Sequence, residues 1–148
     1  MRKLLGSLLG IAAFGCGGGG ATTPSQALIQ VAGTYPTAVA LVENDCGDVI
    51  VLPMTTTVIH NPGASQLSLV HAGITYGGSL RPDGTFTTSP LDLQDADGST
   101  LTVGISGRFD TNGFEATVAV DVRRTNGSRC RYVVHWTGTK QGPPNVIP

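Results

Sequence analysis

Serine is the first side chain in this sequence to consider as a nucleophile. The stretch Gly104-Ile105-Ser106-Gly107 shares its opening with the Gly-x-Ser-x-Gly turn that exposes a nucleophilic serine. The second glycine of that pattern is missing, and the stretch belongs to a run with strand periodicity, not to a strand-to-helix turn. We therefore interpret Ser106 as a small outward-facing strand residue, and we expect that the protein is not an enzyme.

Histidine is the second candidate, as a metal ligand or a general base. The chain has three histidines: His60, His71 and His135. They are far apart in the sequence, and none forms the H-E-x-x-H pattern or the close pair that is typical of zinc sites. His135 alternates with Val134 and Trp136, which predicts that its side chain faces solvent.

A short acidic stretch is the third candidate. Asp92, Asp95 and Asp97 precede Gly98, and carboxylate oxygens are the ligands that calcium prefers. The stretch lacks the ligand spacing of an EF-hand loop and the glutamate at its twelfth position. We interpret these residues as a solvated acidic turn, and we expect neither a metal site nor a cofactor.

The first cysteine lies at the end of an apolar run. Arg2 and Lys3 precede this run, which extends from Leu4 to Phe14, and four glycines follow Cys16. Such a run is typical of a secretory signal and is too short to span a bilayer as a helix. The residues Ala13-Phe14-Gly15-Cys16 resemble the lipobox of bacterial lipoproteins, in which a small residue precedes the acylated cysteine.

The resemblance implies that signal peptidase II cuts before Cys16, which then carries the acyl chains. Residues 1–15 would be the signal peptide, and residues 16–27 a flexible, glycine-rich tether. Two or three chains on one residue anchor a protein stably, because each buried methylene contributes about 0.8 kcal/mol. Residue 17 is glycine, not the aspartate that retains lipoproteins of diderm bacteria at the inner membrane. The resemblance therefore implies an envelope protein attached to the outer membrane.

The charge of the chain argues against a nucleic-acid partner. The sequence has 9 basic and 10 acidic residues, and removal of Arg2 and Lys3 with the signal leaves seven basic and ten acidic residues. The mature chain is therefore slightly acidic and has no basic stripe that could follow a phosphate backbone. We expect it to meet the membrane through its lipid anchor and to bind no nucleic acid.

Residues 28–140 predict a single all-β domain. Apolar and polar residues alternate along most of this region, for example from Phe114 to Val122. Turn signals containing proline, asparagine, aspartate or glycine separate the alternating runs. Together they predict eight strands, joined by consecutive hairpins, over residues 32–43, 49–59, 65–71, 74–81, 85–93, 99–110, 113–124 and 129–139. We expect residues 141–148 to form a flexible C-terminal tail.

An eight-stranded antiparallel up-and-down meander can close into a barrel or fold as a two-sheet β-sandwich. Cys46 follows the first predicted strand and Cys130 opens the last, so both lie at the same rim of a barrel. Export permits oxidation, and lipidation of Cys16 leaves these two cysteines to pair. We therefore predict a Cys46–Cys130 disulfide and favour the closed barrel.

A second resemblance concerns the interior of the barrel. Gly33-Thr34-Tyr35 opens the first strand and Trp136 lies in the last, and this pair resembles the Gly-x-Trp opening of lipocalins and avidin-like barrels, with tyrosine in place of tryptophan. The resemblance implies a pocket for a small apolar ligand, whereas small eight-stranded barrels can also be filled by their own side chains. We expect a non-enzymatic, lipid-anchored module that contacts another envelope component; the alternative is a lipocalin-like carrier of a small apolar ligand.

Overall fold

The computed structural model describes residues 25–148. The predicted signal peptide, the predicted lipidation site Cys16 and most of the tether lie outside the described residues. The described part forms nine strands: β1 (Gly33–Asn44), β2 (Met54–His60), β3 (Gln66–His71), β4 (Ile74–Leu80), β5 (Thr85–Thr88), β6 (Leu91–Gln94), β7 (Thr100–Phe109), β8 (Gly113–Arg123) and β9 (Arg129–Thr139).

The strands form one closed antiparallel barrel. Strands β1 to β5 pair in chain order, so that β4 with β5 is the last pair of this series. In the second series β7 pairs with β8 and β8 with β9, and β9 also pairs with β1. Pairing of β5 with β7 completes the ring, and β6 is an extra short strand that also pairs with β7. The predicted all-β, up-and-down, eight-stranded barrel is confirmed, with this one additional strand, and the sandwich alternative is wrong.

The extra strand arises because the fifth predicted strand is interrupted. Three residues, Thr88 to Pro90, lie opposite two residues of β7, Gly104 and Ile105, so the chain bulges between β5 and β6. Proline has no N–H to donate to a ladder, which is why bulges and edges tolerate it. The last bond between this strand and β4 joins the N–H of Ser89 to the carbonyl of Gly77, at 2.9 Å.

The second predicted strand also differs. It was expected over residues 49–59, but β2 begins at Met54, directly after Pro53. Residues 45–53 form a loop instead. Val51 packs against the core, whereas Ile50 and Leu52 are exposed.

One end of the barrel, which we call the sealed end, is closed by both ends of the described chain. Gln30 and Val146 form an antiparallel bridge there, and Ile29, Val31 and Asn145 are buried. The prediction of a flexible tail over residues 141–148 is wrong, because this segment packs at the sealed end. Gly142 takes a positive φ of 80°, which turns the chain back toward the barrel.

The opposite end, which we call the disulfide end, carries the predicted bridge. Cys46 and Cys130 form a disulfide across a sequence separation of 84 residues. Two hydrogen bonds support the loop beside it: Arg124 Nη2 donates to the carbonyl of Cys46, and the N–H of Asp45 donates to the carbonyl of Arg131, both at 2.9 Å. The bridge therefore joins the end of β1 to the start of β9.

Candidate functional site

The residues considered as catalytic or metal-binding candidates are spread over the barrel. Ser106 is exposed on the outer face of β7, between Thr87 of β5 and Thr117 of β8. His60 and His71 are buried, and His135 is half-buried on β9, so the expectation of a fully solvent-facing His135 is only partly correct. Within residues 25–148, no three His, Cys, Asp or Glu side chains come together as a set that could hold a metal ion.

The acidic stretch uses its carboxylates to cap its own turn. Asp97 Oδ1 accepts a hydrogen bond from the N–H of Ser99 at 2.8 Å, and Asp95 Oδ1 accepts one from the N–H of Ala96 at 2.7 Å. The bonds from Ser99 hold the pKa of Asp97 below its ordinary value. These carboxylates therefore have structural partners in the turn between β6 and β7.

Aromatic side chains fill the interior near the sealed end. Tyr35, Phe86, Phe109 and Phe114 pack edge-to-face or tilted, with ring centroids between 4.9 and 6.3 Å apart. The hydroxyl of Tyr35 lies 2.6 Å from the carbonyl of Val31 and 2.7 Å from Asn145 Oδ1. Burial raises the pKa of Tyr35. The side chain that opens the lipocalin-like pattern is thus a packed core residue.

A chain of hydrogen bonds runs along the inner face of β1, β2 and β3. Thr37 Oγ1 donates to the carbonyl of Tyr35 at 2.8 Å and also lies 2.8 Å from Thr56 Oγ1. Thr56 Oγ1 in turn lies 2.9 Å from His71 Nδ1. Each hydroxyl has one proton, so Thr56 donates to Thr37 and accepts from His71.

This order assigns the tautomer of His71. Its Nδ1 carries the proton, so Nε2 has the free lone pair in the neutral ring. The ring stacks on Trp136, with centroids 4.1 Å apart, and burial lowers the pKa of His71. The neutral ring of His71 thus packs between the hydroxyl of Thr56 and the indole of Trp136. Trp136 is a core residue.

A surface depression on the outer wall spans β2 to β5 and reaches the first residue of β6. Its volume is about 860 Å³. The lining combines small residues, including Ser68, Gly77 and Ser79, with larger ones, including Ile59 and Gln66. We call it the wall groove. The sequence signal that could have located it is the glycine pair in β4, since glycine within a strand often marks a close approach of backbone or ligand.

Exposed apolar side chains cluster around the loop at the disulfide end. Ile50 is 84% exposed and Leu52 is 68% exposed, and Val42 and Met54 on the flanking strands are also exposed. We call residues 49–53 the apolar loop. Sequence reasoning missed its exposure because it assigned these residues to a strand, although Pro53 indicated the break.

Comparison with known proteins found no matching family model, no matching curated protein and no matching solved structure. Residues 25–148 contain no helix with the length and apolar character needed to cross a membrane. The case for function therefore rests on the sequence and on the geometry described above.

Proposed function

We propose that this protein is a lipid-anchored module of the bacterial envelope that contacts another envelope component and performs no chemistry of its own. The observation that carries the proposal is the position of the apolar loop relative to the point where the described chain begins. The described part of the chain begins beside the sealed end, where the carbonyl of Ile29 accepts a hydrogen bond from the N–H of Gly63. The apolar loop lies at the opposite end.

This arrangement supports presentation of the loop away from the lipid. An acylated Cys16, followed by the glycine-rich tether, would place the membrane on the side of the sealed end. Ile50 and Leu52 would then point toward the periplasm or the cell exterior. Exposed apolar side chains surrounded by polar residues are typical of protein interaction sites, because their burial against a partner is favourable.

The carrier alternative has less support. A carrier needs an interior that is empty enough to hold its ligand. In residues 25–148 the interior near the sealed end is occupied by four packed aromatic rings, and its middle by the chain from Thr37 to His71. These side chains favour a module that binds through its outer surface.

Acylation is tested with the full-length chain in a bacterial host that is fed labelled palmitate. We expect the wild-type chain to incorporate the label and to remain in the outer-membrane fraction. Cys16→Ser should abolish both, because the sulfur that accepts the lipid is gone. Label in the Cys16→Ser variant would overturn the anchor.

The interaction surface is tested by photocrosslinking in intact cells. A photoreactive residue at Leu52 should give a discrete adduct with an envelope protein, and one at Thr117 on the outer face of β8 should not. Ile50→Asp should remove the Leu52 adduct, because a charge in the apolar loop opposes burial. The same adducts from both positions, or none from Leu52, would contradict the proposed surface.

A further inference from the structure

The wall groove differs from the apolar loop in its chemistry. Among the described residues, those that line the groove carry no charged side chain. Hydroxyl and amide groups dominate instead: Gln66, Ser79, Thr87 and Ser89 lie at the surface beside the small residues. A ligand with a net charge would find no opposite charge in this lining.

Such a lining suits a ligand that both donates and accepts hydrogen bonds. Serine and threonine hydroxyls and the glutamine amide each offer a donor and an acceptor. Ile59, which is 58% exposed, and Pro90 add apolar surface at the sides. A sugar ring matches both features, since its hydroxyls lie around the edge and its C–H groups form apolar faces.

One residue in the lining also has an unused hydrogen-bonding atom. His60 is 7% exposed, and its Nε2 lies 2.9 Å from the carbonyl of Ala64. A carbonyl can only accept, so Nε2 carries the proton and, in the neutral ring, Nδ1 has the lone pair. Within residues 25–148, this Nδ1 is a buried side-chain atom with no hydrogen-bond partner. The alternation along β2 places His60 on the same face as Thr56 and Val58, so this polar atom lies on the inner side of the wall that carries the groove.

The bottom of the groove is open at the backbone. Gly77 pairs with Ser68 across β3 and β4, and a Cβ atom built on Gly77 would meet no other atom within 4 Å. A ligand can therefore approach the main chain of β4 directly. The volume of about 860 Å³ is within the range of small-molecule sites, which is roughly 300–1,000 Å³.

We propose that the wall groove binds a neutral oligosaccharide. The ligand lies across β2 to β5, its hydroxyls bond to the groove's hydroxyl and amide groups, and a sugar ring covers Gly77. The site is separate from the apolar loop, so the proposal does not depend on the function proposed above.

The test is calorimetric titration of the full-length chain, solubilised in a zwitterionic detergent that contains no sugar. The probes are three neutral tetrasaccharides, namely chitotetraose, cellotetraose and maltotetraose, and one anionic probe, tetragalacturonate. We expect saturable binding of at least one neutral probe and no binding of the anionic one. Amide chemical shifts of the same sample should change at Ser68, Gly77 and Ser79.

Two variants separate the groove from the rest of the wall. Gly77→Leu places a side chain in the groove, where a Cβ atom meets nothing within 4 Å, and Thr117→Leu places the same side chain on the exposed outer face of β8, which does not line the groove. We expect Gly77→Leu to weaken binding about tenfold or more and Thr117→Leu to change it less than about twofold. The double variant Gln66→Ala with Ser79→Ala should also weaken binding. Both replaced side chains are exposed, so this variant tests the groove if Gly77→Leu does not fold.

The remaining outcomes would overturn the proposal. They are no binding of any neutral probe, equal binding of tetragalacturonate, and equal weakening by Gly77→Leu and Thr117→Leu. Shift changes confined to the apolar loop would also place the ligand elsewhere. Binding of an extended neutral peptide to the groove in place of all three sugars would assign the site to a different class of ligand.

Discussion

The two ends of this barrel are closed by different means. At the sealed end, Val31, Phe109 and Phe114 are almost completely buried, and the two ends of the described chain pack over them. At the disulfide end, the apolar side chains that face inward, such as Leu93, Leu101 and Val122, are only half-buried. A covalent bond joins the strands there. The comparison shows that packing stabilises one end and cross-linking the other.

The difference follows from which segments reach each end. Residues 29–31 and 145–147 cross the sealed end and bury apolar surface, which stabilises the barrel by roughly 25 cal/mol for each Å² removed from water. Among residues 25–148, the segments at the disulfide end are hairpin turns and the loop at residues 45–53. A disulfide restricts the conformations of the unfolded chain, so it can stabilise an end of the barrel where little additional apolar surface can be buried.

Removal of the disulfide is expected to have the largest effect. In the full-length chain, the double variant Cys46→Ala with Cys130→Ala should lose about 4 to 5 kcal/mol of unfolding free energy, because the bridge closes a loop of 84 residues. Urea denaturation of the two proteins measures the loss. A loss below about 1 kcal/mol would show that packing alone secures this end.

An aromatic truncation tests the sealed end. Phe109→Ala should cost about 3 to 5 kcal/mol, because the ring contacts Tyr35, Phe86 and Phe114 and its removal leaves a cavity. Leu93→Ala at the disulfide end is the matched truncation and should cost less, since Leu93 is already half-exposed. Equal losses in thermal or chemical unfolding would remove the contrast between the two ends.

The hydroxyl of Tyr35 allows a smaller change at the sealed end. Tyr35→Phe should cost about 1 to 3 kcal/mol, because the carbonyl of Val31 and the side-chain oxygen of Asn145 share the single hydroxyl proton of Tyr35 and would both lose it. Tyr132→Phe, a half-buried tyrosine near the disulfide end, is the control and should be nearly neutral. If the Tyr132 variant loses as much as the Tyr35 variant, the docking of the C-terminal segment contributes little.

The smallest effect concerns pH and the middle of the barrel. Burial holds the pKa of folded His71 below its ordinary value of 6.5, so below that pH the unfolded chain takes up the proton first. Stability is therefore complete above about pH 6.5 and falls as the pH decreases toward the folded pKa, by at most about 1.4 kcal/mol per pH unit. His71→Gln should flatten this slope between pH 6.5 and 5 in urea titrations. If His71→Gln leaves the slope as steep as in the wild type, a group other than His71 is responsible for it.

Much of the fold could be predicted because it depends on local signals. Alternation from Phe114 to Val122 and the Asn-Gly turn before it specify β8 to within one residue at its end. The disulfide followed from the positions of Cys46 and Cys130 in a meander. The residue types did not distinguish the loop at residues 49–53 from a strand, because Val49 to Leu52 form an uninterrupted apolar run, which is also typical of a buried strand.

The candidate surfaces could not be predicted in the same way. The wall groove joins residues from five strands, β2 to β6. The tautomer of His71 depends on Thr37 and Thr56, which reach it only through the pairing of β1 with β2 and β2 with β3. No local sequence pattern shows which residues of separate strands come together at these sites.

The sequence by itself determined most of the strands, the turns and the pairing of the two cysteines, because each depends on side-chain periodicity, on backbone preferences at glycine and proline, or on chain order. It did not determine where β2 begins or that β5 and β6 are separate strands. Only the tertiary structure decided that the C-terminal segment docks at the sealed end. Asn145 reaches the carbonyl of Asp110 and the hydroxyl of Tyr35 there, although Tyr35 is 110 residues away in the chain. The physical reason is that a polar side chain is buried only where distant groups supply its hydrogen bonds, and those groups come together only when the barrel closes.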